Sequence, residues 1–173
     1  MKSKVADHLT EVPIETADGA FVARYSRQGL AALGFPSRSG RVSPGIQPAA
    51  VSKPVQAFHR LTTLALGRVL AGRSPGRLPP LDLSAGTDFQ QRVWSELQKI
   101  ASGGTRSYGE IAKAIGRPRA VRAVGGACGA NPIPVLVPCH RVLAANRRLG
   151  GFSGGLEWKT RLLEREGIQW QGE

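Results

Sequence analysis

Cysteine is the scarcest of the chemically informative residues in this sequence. Only two of the 173 residues are cysteine, Cys128 and Cys139, and they do not form a Cys-x-x-Cys pair. The sequence therefore excludes a disulfide scaffold and favours a reducing compartment. Long apolar runs are lacking too, since none approaches the ~18 residues of a membrane span and no apolar stretch follows Met1–Asp7. We expect a cytoplasmic protein that is neither secreted nor inserted into a membrane.

Acidic residues are the second deficit. The chain has 12 Asp and Glu against 24 Lys and Arg, which gives a formal net charge of +12. The imbalance is sharpest between Lys99 and Arg148, where Glu110 is the single acid among nine basic residues. Such a charge favours an anionic partner, either nucleic acid or a membrane surface, although a solvated basic face would give the same pattern.

The length allows one domain or two small ones, at ~100–200 residues per domain. Residues 1–82 predict a small β-containing N-terminal domain, because the apolar runs Phe21–Tyr25 and Gly29–Phe35 are joined by three polar residues and suit a hairpin. The following stretch, residues 36–54, is rich in Pro and Ser and predicts a loop. A helical stripe then runs to Leu70. Its apolar members are Leu61, Leu64, Ala65 and Val69.

Residues 83–173 predict a helical C-terminal domain. Two capping boxes, Thr87-x-x-Gln90 and Ser107-x-x-Glu110, each begin an amphipathic helix. A last helix is predicted over residues 156–166, with Gly167 directly after its end. The residues of this last helix that we expect to face the core are Trp158, Leu162 and Leu163.

A helix-turn-helix is predicted within this second domain. Gly116 ends the helix that the second capping box begins, and Pro118 suits the first turn of the next helix. One face of that next helix carries Val121, Val124 and Cys128, and another carries Arg119, Arg122 and Gly126. Taken together, the chain predicts an α/β fold of the α+β type, with a small β-rich N-terminal domain and a helical C-terminal domain that contains the helix-turn-helix.

The pair Gly125-Gly126 is unusual inside a helix, because two glycines cost about 2 kcal/mol relative to two alanines. Tight packing of the helix inside the protein would explain the pair, and so would an early helix end. The third explanation is functional. Ala123, Gly126 and Ala127 would form a low surface that a sugar-phosphate backbone can approach, with Arg122 projecting from it. The sequence alone leaves these alternatives open.

Cys139 is the candidate nucleophile, whereas Cys128 fits a small buried apolar residue. Cys139 follows Ile133–Val137, an apolar run that predicts a buried extended segment, and His140 comes directly after it. A thiol has an intrinsic pKa near ~8.5, and a histidine can act as its base, here through a water because neighbours in an extended segment point apart. The orienting acid is one of Glu157, Glu164, Glu166 and Glu173. This chemistry suits an acyl, a phosphoryl or an alkyl electrophile.

Several short segments stand out by their order and spacing. They are Ser107–Ala112, Arg119–Ala127, Asn131-Pro132, Val137–Val142, Gly154–Leu156 and Leu162–Gly167. Together they resemble the O6-alkylguanine-DNA alkyltransferases, which are also called methylated-DNA–protein-cysteine methyltransferases. The resemblance is dense from Gly86 to Gly167. Residues 13–35 resemble the β-rich N-terminal domain of that family more weakly, and residues 36–54 match no pattern in it.

The resemblance implies a role for each residue of the reaction centre. Cys139 would accept the alkyl group, while His140 and Glu166 would remove its proton through a water. Asn131 would hydrogen-bond near the active-site segment and hold the approach to it. Tyr108 would donate a hydrogen bond toward the guanine ring as it leaves. Because the leaving base gains negative charge, such a donor would lower the barrier.

The resemblance also implies how DNA is held. Ser153 would line the pocket for the alkylated guanine, together with Tyr108. Arg122 would fill the space left by the flipped base, from a recognition helix in the minor groove. The remaining DNA contacts would come from Ala123, Gly126, Arg119 and Arg117, with Lys113 adding sequence-independent attraction to phosphates. Arg141 could attract a phosphate in the same way or pair with an acid.

The function implied is DNA repair in a single turnover. The protein would transfer the alkyl group from O6-alkylguanine in duplex DNA to its own sulfur, with no cofactor. It would be a monomer in solution, with room for cooperative binding along DNA, and would join the nucleoid when acting. No cysteine precedes Cys128, so His8 and His59 are too few for a zinc site and we expect no metal.

Three other functions are compatible with parts of this sequence. A lesion-recognition protein that binds DNA without transferring the alkyl group would lack the cysteine, and Cys139 is present. A helix-turn-helix regulator would carry base-reading side chains where this helix has alanine and glycine. A Cys-His hydrolase would need no basic helix-turn-helix.

Overall fold

A computed structural model describes residues 9–37 and 47–172 of the chain. Within these residues three antiparallel strands form one sheet in the order β1-β2-β3, and two short parallel strands, β4 and β5, form another. The strands are β1 (Thr10–Thr16), β2 (Gly19–Tyr25), β3 (Leu30–Gly34), β4 (Arg106–Ser107) and β5 (Val142–Leu143). The helices are α1 (Lys53–Leu70), α2 (Asp88–Gln98), α3 (Tyr108–Ala114), α4 (Val121–Gly129) and α5 (Leu156–Arg165). The predicted fold class is confirmed.

The N-terminal sheet contains the predicted hairpin and one strand that the prediction omitted. β2 pairs with β3 around the polar turn, and β1 pairs with β2 on the other side. Pro13 lies in β1 and argues against a strand, because proline lacks the N–H that a central ladder needs. β1 tolerates it because it is an edge strand, and its alternating pattern buries Val12 and Ile14.

The predicted loop over residues 36–54 is wrong at its C-terminal end. A short 3₁₀ turn forms at Pro48–Ala50, and α1 begins at Lys53 with a proline in its first turn, where the missing N–H costs little. Residues 38–46 of that loop lie outside the described residues. The stripe of α1 also differs from the prediction, since Leu64 is 60% exposed while Thr62 and Leu66 are buried.

The two capping boxes are confirmed. The Thr87 hydroxyl accepts from the backbone N–H of Gln90 while the Gln90 side chain accepts from the N–H of Thr87, at the start of α2. Ser107 and Glu110 make the same reciprocal bonds at the start of α3. Both boxes are local devices that satisfy N–H groups with no partner in the helix, so their sequence signature suffices to predict them.

The helix after the turn begins later than predicted. α4 starts at Val121, so Pro118 and Arg119 belong to the turn and not to the helix. The turn is closed by the N–H of Ala120, which donates to the carbonyl of Arg117 at 2.8 Å. Val121 is 41% exposed, contrary to the prediction, while Val124 and Cys128 are buried as expected. α3, the turn and α4 together form the predicted helix-turn-helix arrangement.

The segment Ile133–Val137 is buried as predicted but is not extended. The N–H of Val137 donates to the carbonyl of Ile133 at 2.9 Å, which closes a turn, and Val135 has a positive φ of 74°. Prolines at 132, 134 and 138 remove the donors that a strand ladder would need. Cys139 therefore lies in a short 3₁₀ helix, Cys139–Arg141, and not at the end of a strand.

The last helix and the core complete the fold. α5 ends at Arg165, with Glu166 as its C-cap and Gly167 at a φ of 68°, in agreement with the prediction. One buried cluster contains residues of the sheet, α1, α2 and α4, so the N- and C-terminal segments share a core. The division at residues 82 and 83 stays a prediction. No helix in the described residues is long and apolar enough to cross a membrane.

Candidate active site

The Cys139 thiol is buried, with 3% of the residue exposed. The side-chain amide of Asn131 donates to the sulfur at 3.1 Å and to the carbonyl of Val137 at 2.8 Å. The amide oxygen of Asn131 accepts from the N–H of Ile133 at 3.0 Å. One asparagine side chain therefore fixes the turn before the cysteine and contacts the sulfur itself.

The environment of the thiol keeps it protonated. Burial raises the pKa of Cys139, because a thiolate loses its hydration there. The hydrogen bond from Asn131, the charge of Lys159 and backbone N–H groups of the 3₁₀ helix act in the opposite direction. Since the first effect is the largest, a nucleophilic role requires a base within reach of the sulfur.

His140, which directly follows Cys139 in the 3₁₀ helix, forms a buried pair with Glu166. The Nε2 atom of His140 lies 2.9 Å from Oε1 of Glu166, and the two side chains are 0% and 1% exposed. Arg141 is buried and donates to both carboxylate oxygens, at 2.8 and 2.9 Å, so it pairs with an acid and the phosphate role is wrong. The N–H of Gly103 donates to Oε2 at 3.2 Å. The C-cap position of α5 brings Glu166 to the 3₁₀ helix that carries His140.

The protonation of the pair follows from its surroundings. Burial alone would raise the pKa of Glu166, but the hydrogen bonds from His140 and Arg141 bring it down to about 2. The carboxylate is then an acceptor only, so Nε2 of His140 carries the ring proton and Nδ1 keeps a lone pair. Burial lowers the pKa of His140, which keeps the ring neutral. Nδ1 is buried and has no hydrogen-bond partner among the described residues.

Lys159 is a buried residue of this site that the sequence analysis missed. It is 0% exposed, and its Nζ donates to the carbonyls of Val142 at 2.7 Å, of Gly151 at 3.4 Å and of Leu149. Burial lowers the pKa of Lys159 to about 8, against the opposing influence of the two cysteines. The ammonium therefore ties β5 to the segment that follows it, close to Cys139.

Tyr108 lines an open cavity of about 570 Å³ beside this group. Its hydroxyl donates to the carbonyl of Gly151 at 3.4 Å. Burial, with a smaller contribution from Cys128 and Cys139, raises the pKa of Tyr108 to about 12, so the phenol remains a donor. Ser153 and Arg122 line the same cavity, and Ser153 is exposed. The cavity is therefore lined both by the residues predicted to bind the alkylated guanine, Tyr108 and Ser153, and by Arg122 of the helix-turn-helix.

The residues predicted to contact DNA are all exposed. Arg122, Ala123 and Gly126 are exposed on α4, and Arg117 and Arg119 are exposed in the turn before it. Of the explanations for the glycine pair, packing fails for Gly126, because a Cβ there would meet nothing within 4 Å. The early helix end fails as well, since α4 continues to Gly129. The functional explanation stays a prediction for Gly126, and it is wrong for Ala127, which is buried.

A metal site is not evident in the described ranges 9–37 and 47–172. No group of three or more His, Cys, Asp or Glu side chains is placed there to hold an ion.

Comparisons with known proteins agree with this geometry. The family model of the 6-O-methylguanine DNA methyltransferase DNA-binding domain matches residues 88–168. Over 86 residues the chain is 60% identical to the methylated-DNA–protein-cysteine methyltransferase of Mycobacterium tuberculosis, covering 50% of this chain and 52% of the relative. In sequence, the chain thus spans about half the length of the curated relatives that it matches first.

Solved structures extend the likeness to most of the fold. The crystal structure of Mycobacterium tuberculosis OGT in complex with DNA superposes with a TM-score of 0.72 at 40% identity, covering 89% of this chain and 90% of that one. The O6-methylguanine-DNA methyltransferase of Pyrococcus kodakaraensis superposes with a TM-score of 0.64 at 26% identity, covering 92% and 99%. The chain therefore belongs to the methylated-DNA–protein-cysteine methyltransferase family.

Proposed function

We propose that this protein repairs DNA by moving the alkyl group of O6-alkylguanine from duplex DNA to the sulfur of Cys139. The observation that carries the proposal is a buried thiol that accepts a hydrogen bond from Asn131 and is followed directly by His140, whose ring pairs with Glu166. Family membership supports the same reaction. Because the C–S bond of a thioether is stable in water at neutral pH, each molecule would act once.

The first step is removal of the thiol proton. The proton passes from Cys139 through a water to Nδ1 of His140, the ring nitrogen that has a lone pair and no protein partner in the described part of the chain. The imidazolium that forms is stabilised by the carboxylate of Glu166. Arg141 holds that carboxylate in place and keeps it ionised. The arrangement supplies the base that the raised thiol pKa demands.

The second step is displacement at the alkyl carbon. The thiolate forms a new S–C bond, the C–O6 bond breaks, and the electron pair leaves with the guanine. A hydrogen bond from the Tyr108 hydroxyl stabilises the developing charge on the base, and guanine then takes up one proton, which balances the proton lost from Cys139. A hydroxyl with a pKa of about 12 remains a donor throughout this step.

The third element is access of the base to the sulfur. A thiol that is 3% exposed is out of reach of a stacked base, so the damaged nucleotide must leave the helix. The exposed Ala123 and Gly126 allow close approach of a groove, and Arg122 stands at the edge of the cavity to fill the gap in the stack. Arg117 and Arg119 add phosphate contacts.

The proposal is tested with a duplex that carries a single radiolabelled O6-methylguanine. The wild-type protein should take up one label per molecule, and Cys139→Ser should take up none while binding the duplex with unchanged affinity. Cys128→Ser is the matched control, because it removes a buried thiol from the same region and should keep full transfer. Binding without transfer by the wild type would show a lesion-recognition protein instead.

A further inference from the structure

The segment from Gly150 to Gly155 forms one wall of the cavity and has little bulk of its own. Four of its six residues are glycine, so Phe152 and Ser153 are its only side chains beyond hydrogen. Ser153 is exposed, and Phe152 is partly buried and lines the cavity. The position of this wall therefore depends on what lies behind Phe152.

Phe35, next to the end of β3, lies behind that wall. Its ring centroid is 5.8 Å from that of Phe152, with the two rings edge-to-face at 69°. Gly154 packs even more closely, because a Cβ at that position would lie 2.4 Å from the Phe35 ring. One aromatic side chain from the N-terminal sheet thus contacts the wall at two points.

Phe35 is itself held firmly relative to the reaction centre. The N–H of Leu33 in β3 donates to the carbonyl of Pro132 at 2.9 Å, next to the asparagine that contacts the nucleophile. The ring also packs against Trp158 of α5 at 5.0 Å and against Phe21 of β2 at 5.7 Å. The Phe35 ring is therefore held in place by its neighbours. The glycine-rich wall, residues 150–155, is the part of the cavity that can move.

We infer that Phe35 determines which O6-alkyl groups the cavity accepts. Its ring limits how far Phe152 and the rest of the wall can move away from the substrate. A methyl group fits without movement of the wall, whereas a benzyl group needs the wall to move outward. A shorter side chain at position 35 would leave room for that movement, so it would favour transfer of the benzyl group over the methyl group. The inference rests on the proposed alkyl transfer and assigns a specificity role to a residue outside the C-terminal segment.

The test compares rate constants for two duplexes of the same sequence, one with O6-benzylguanine and one with O6-methylguanine. The ratio of the two constants cancels changes in DNA binding. Phe35→Leu should raise the benzyl-to-methyl ratio by about 3–10-fold. The matched control is Phe21→Leu, which shortens a ring of the same cluster that contacts Phe35 and Trp158 but has no ring contact with Phe152, and should leave the ratio unchanged.

A second variant tests the same contact from the other side. Gly154→Ala places a methyl group against the Phe35 ring, which pushes the wall toward the cavity and should lower the ratio. Combining it with Phe35→Leu should bring the ratio back toward the wild-type value, because the two residues are in contact.

An unchanged ratio in Phe35→Leu, or an equal change in Phe21→Leu, would overturn the inference while wild-type transfer stands. Absence of transfer from both duplexes by the wild type would overturn the proposed function itself. If Phe35→Leu fails to fold, as judged by circular dichroism, Gly154→Ala alone decides: a lowered ratio supports the inference and an unchanged one refutes it.

Discussion

Replacing Glu166 with glutamine removes one charge and leaves the shape of the side chain almost unaltered. The carboxylate accepts hydrogen bonds from His140, Arg141 and Gly103, and all of its acceptor capacity is directed at N–H groups. A glutamine has a donor on one side, so at least one of these N–H groups would face another N–H group. The guanidinium of Arg141, 4% exposed, would also stay buried without its counter-charge.

The expected loss of stability is large. Removing one partner of a buried ion pair costs about 3–5 kcal/mol. The pKa of Glu166 gives a similar size, because lowering it from 4.5 to about 2 corresponds to about 3 kcal/mol of native-state stability at neutral pH. For a chain of this length, Glu166→Gln should therefore lower Tm by about 6–20 °C.

Urea denaturation near pH 7 and near pH 3 tests both the size of the stability loss in Glu166→Gln and its electrostatic cause. The pKa of Glu166 is lower in the folded than in the unfolded protein, so its stabilisation is present above pH 4.5 and is lost as the pH falls toward 2. The difference between wild type and Glu166→Gln should thus shrink near pH 3. Glu164→Gln, an exposed change on the same helix, should stay within about 0.5 kcal/mol of wild type. A loss below about 1 kcal/mol for Glu166→Gln, or one independent of pH, would refute the reasoning.

Three further outcomes are expected. Arg122→Ala should slow repair of duplex DNA by about tenfold or more, because refilling the stack is lost, while its reaction with free O6-benzylguanine should stay unchanged; equal losses would exclude a flipping role. Lys159→Met should lower the free energy of unfolding by about 2–4 kcal/mol, measured in urea, because three carbonyls lose their donor; the exposed Lys113→Met is its control. The rate with free O6-benzylguanine should be constant from pH 6.5 to about pH 7.5, below the pKa of Lys159 of about 8, and fall at lower pH, because burial lowers the pKa of His140 from 6.5 and raises that of Cys139 from 9.0. A steady rise with pH across that range would mean that the thiol titrates without a base.

Local signals predicted the elements that depend on local bonding. The capping boxes at Thr87 and Ser107 and the glycine after α5 were identified correctly, since each satisfies groups within one helix turn. The wrong predictions concern segments whose conformation depends on tertiary contacts. The run from Ile133 to Val137 has the composition of a buried strand, yet its prolines and the hydrogen bonds of Asn131 make it a closed turn.

The reaction centre was predictable only in part. The neighbours Cys139 and His140 are adjacent in the sequence, but four late acids were open as the third member and only the resemblance indicated Glu166. Lys159 was missed because a lysine in an amphipathic helix is normally exposed. Its position held a usable signal, since it precedes Leu162, Leu163 and Glu166 at spacings of three, four and seven and so shares their buried face. The contact of Phe35 with the cavity wall joins residues about 120 apart and had no signal in the sequence.

The most direct test of the account is intact-protein mass spectrometry after mixing with a duplex that contains O6-methylguanine, followed by peptide mapping. The account predicts one methyl group per protein molecule, located on the peptide that contains Cys139, and guanine restored in the DNA. A methyl group on Cys128, or DNA bound with no methyl group moved, would contradict it.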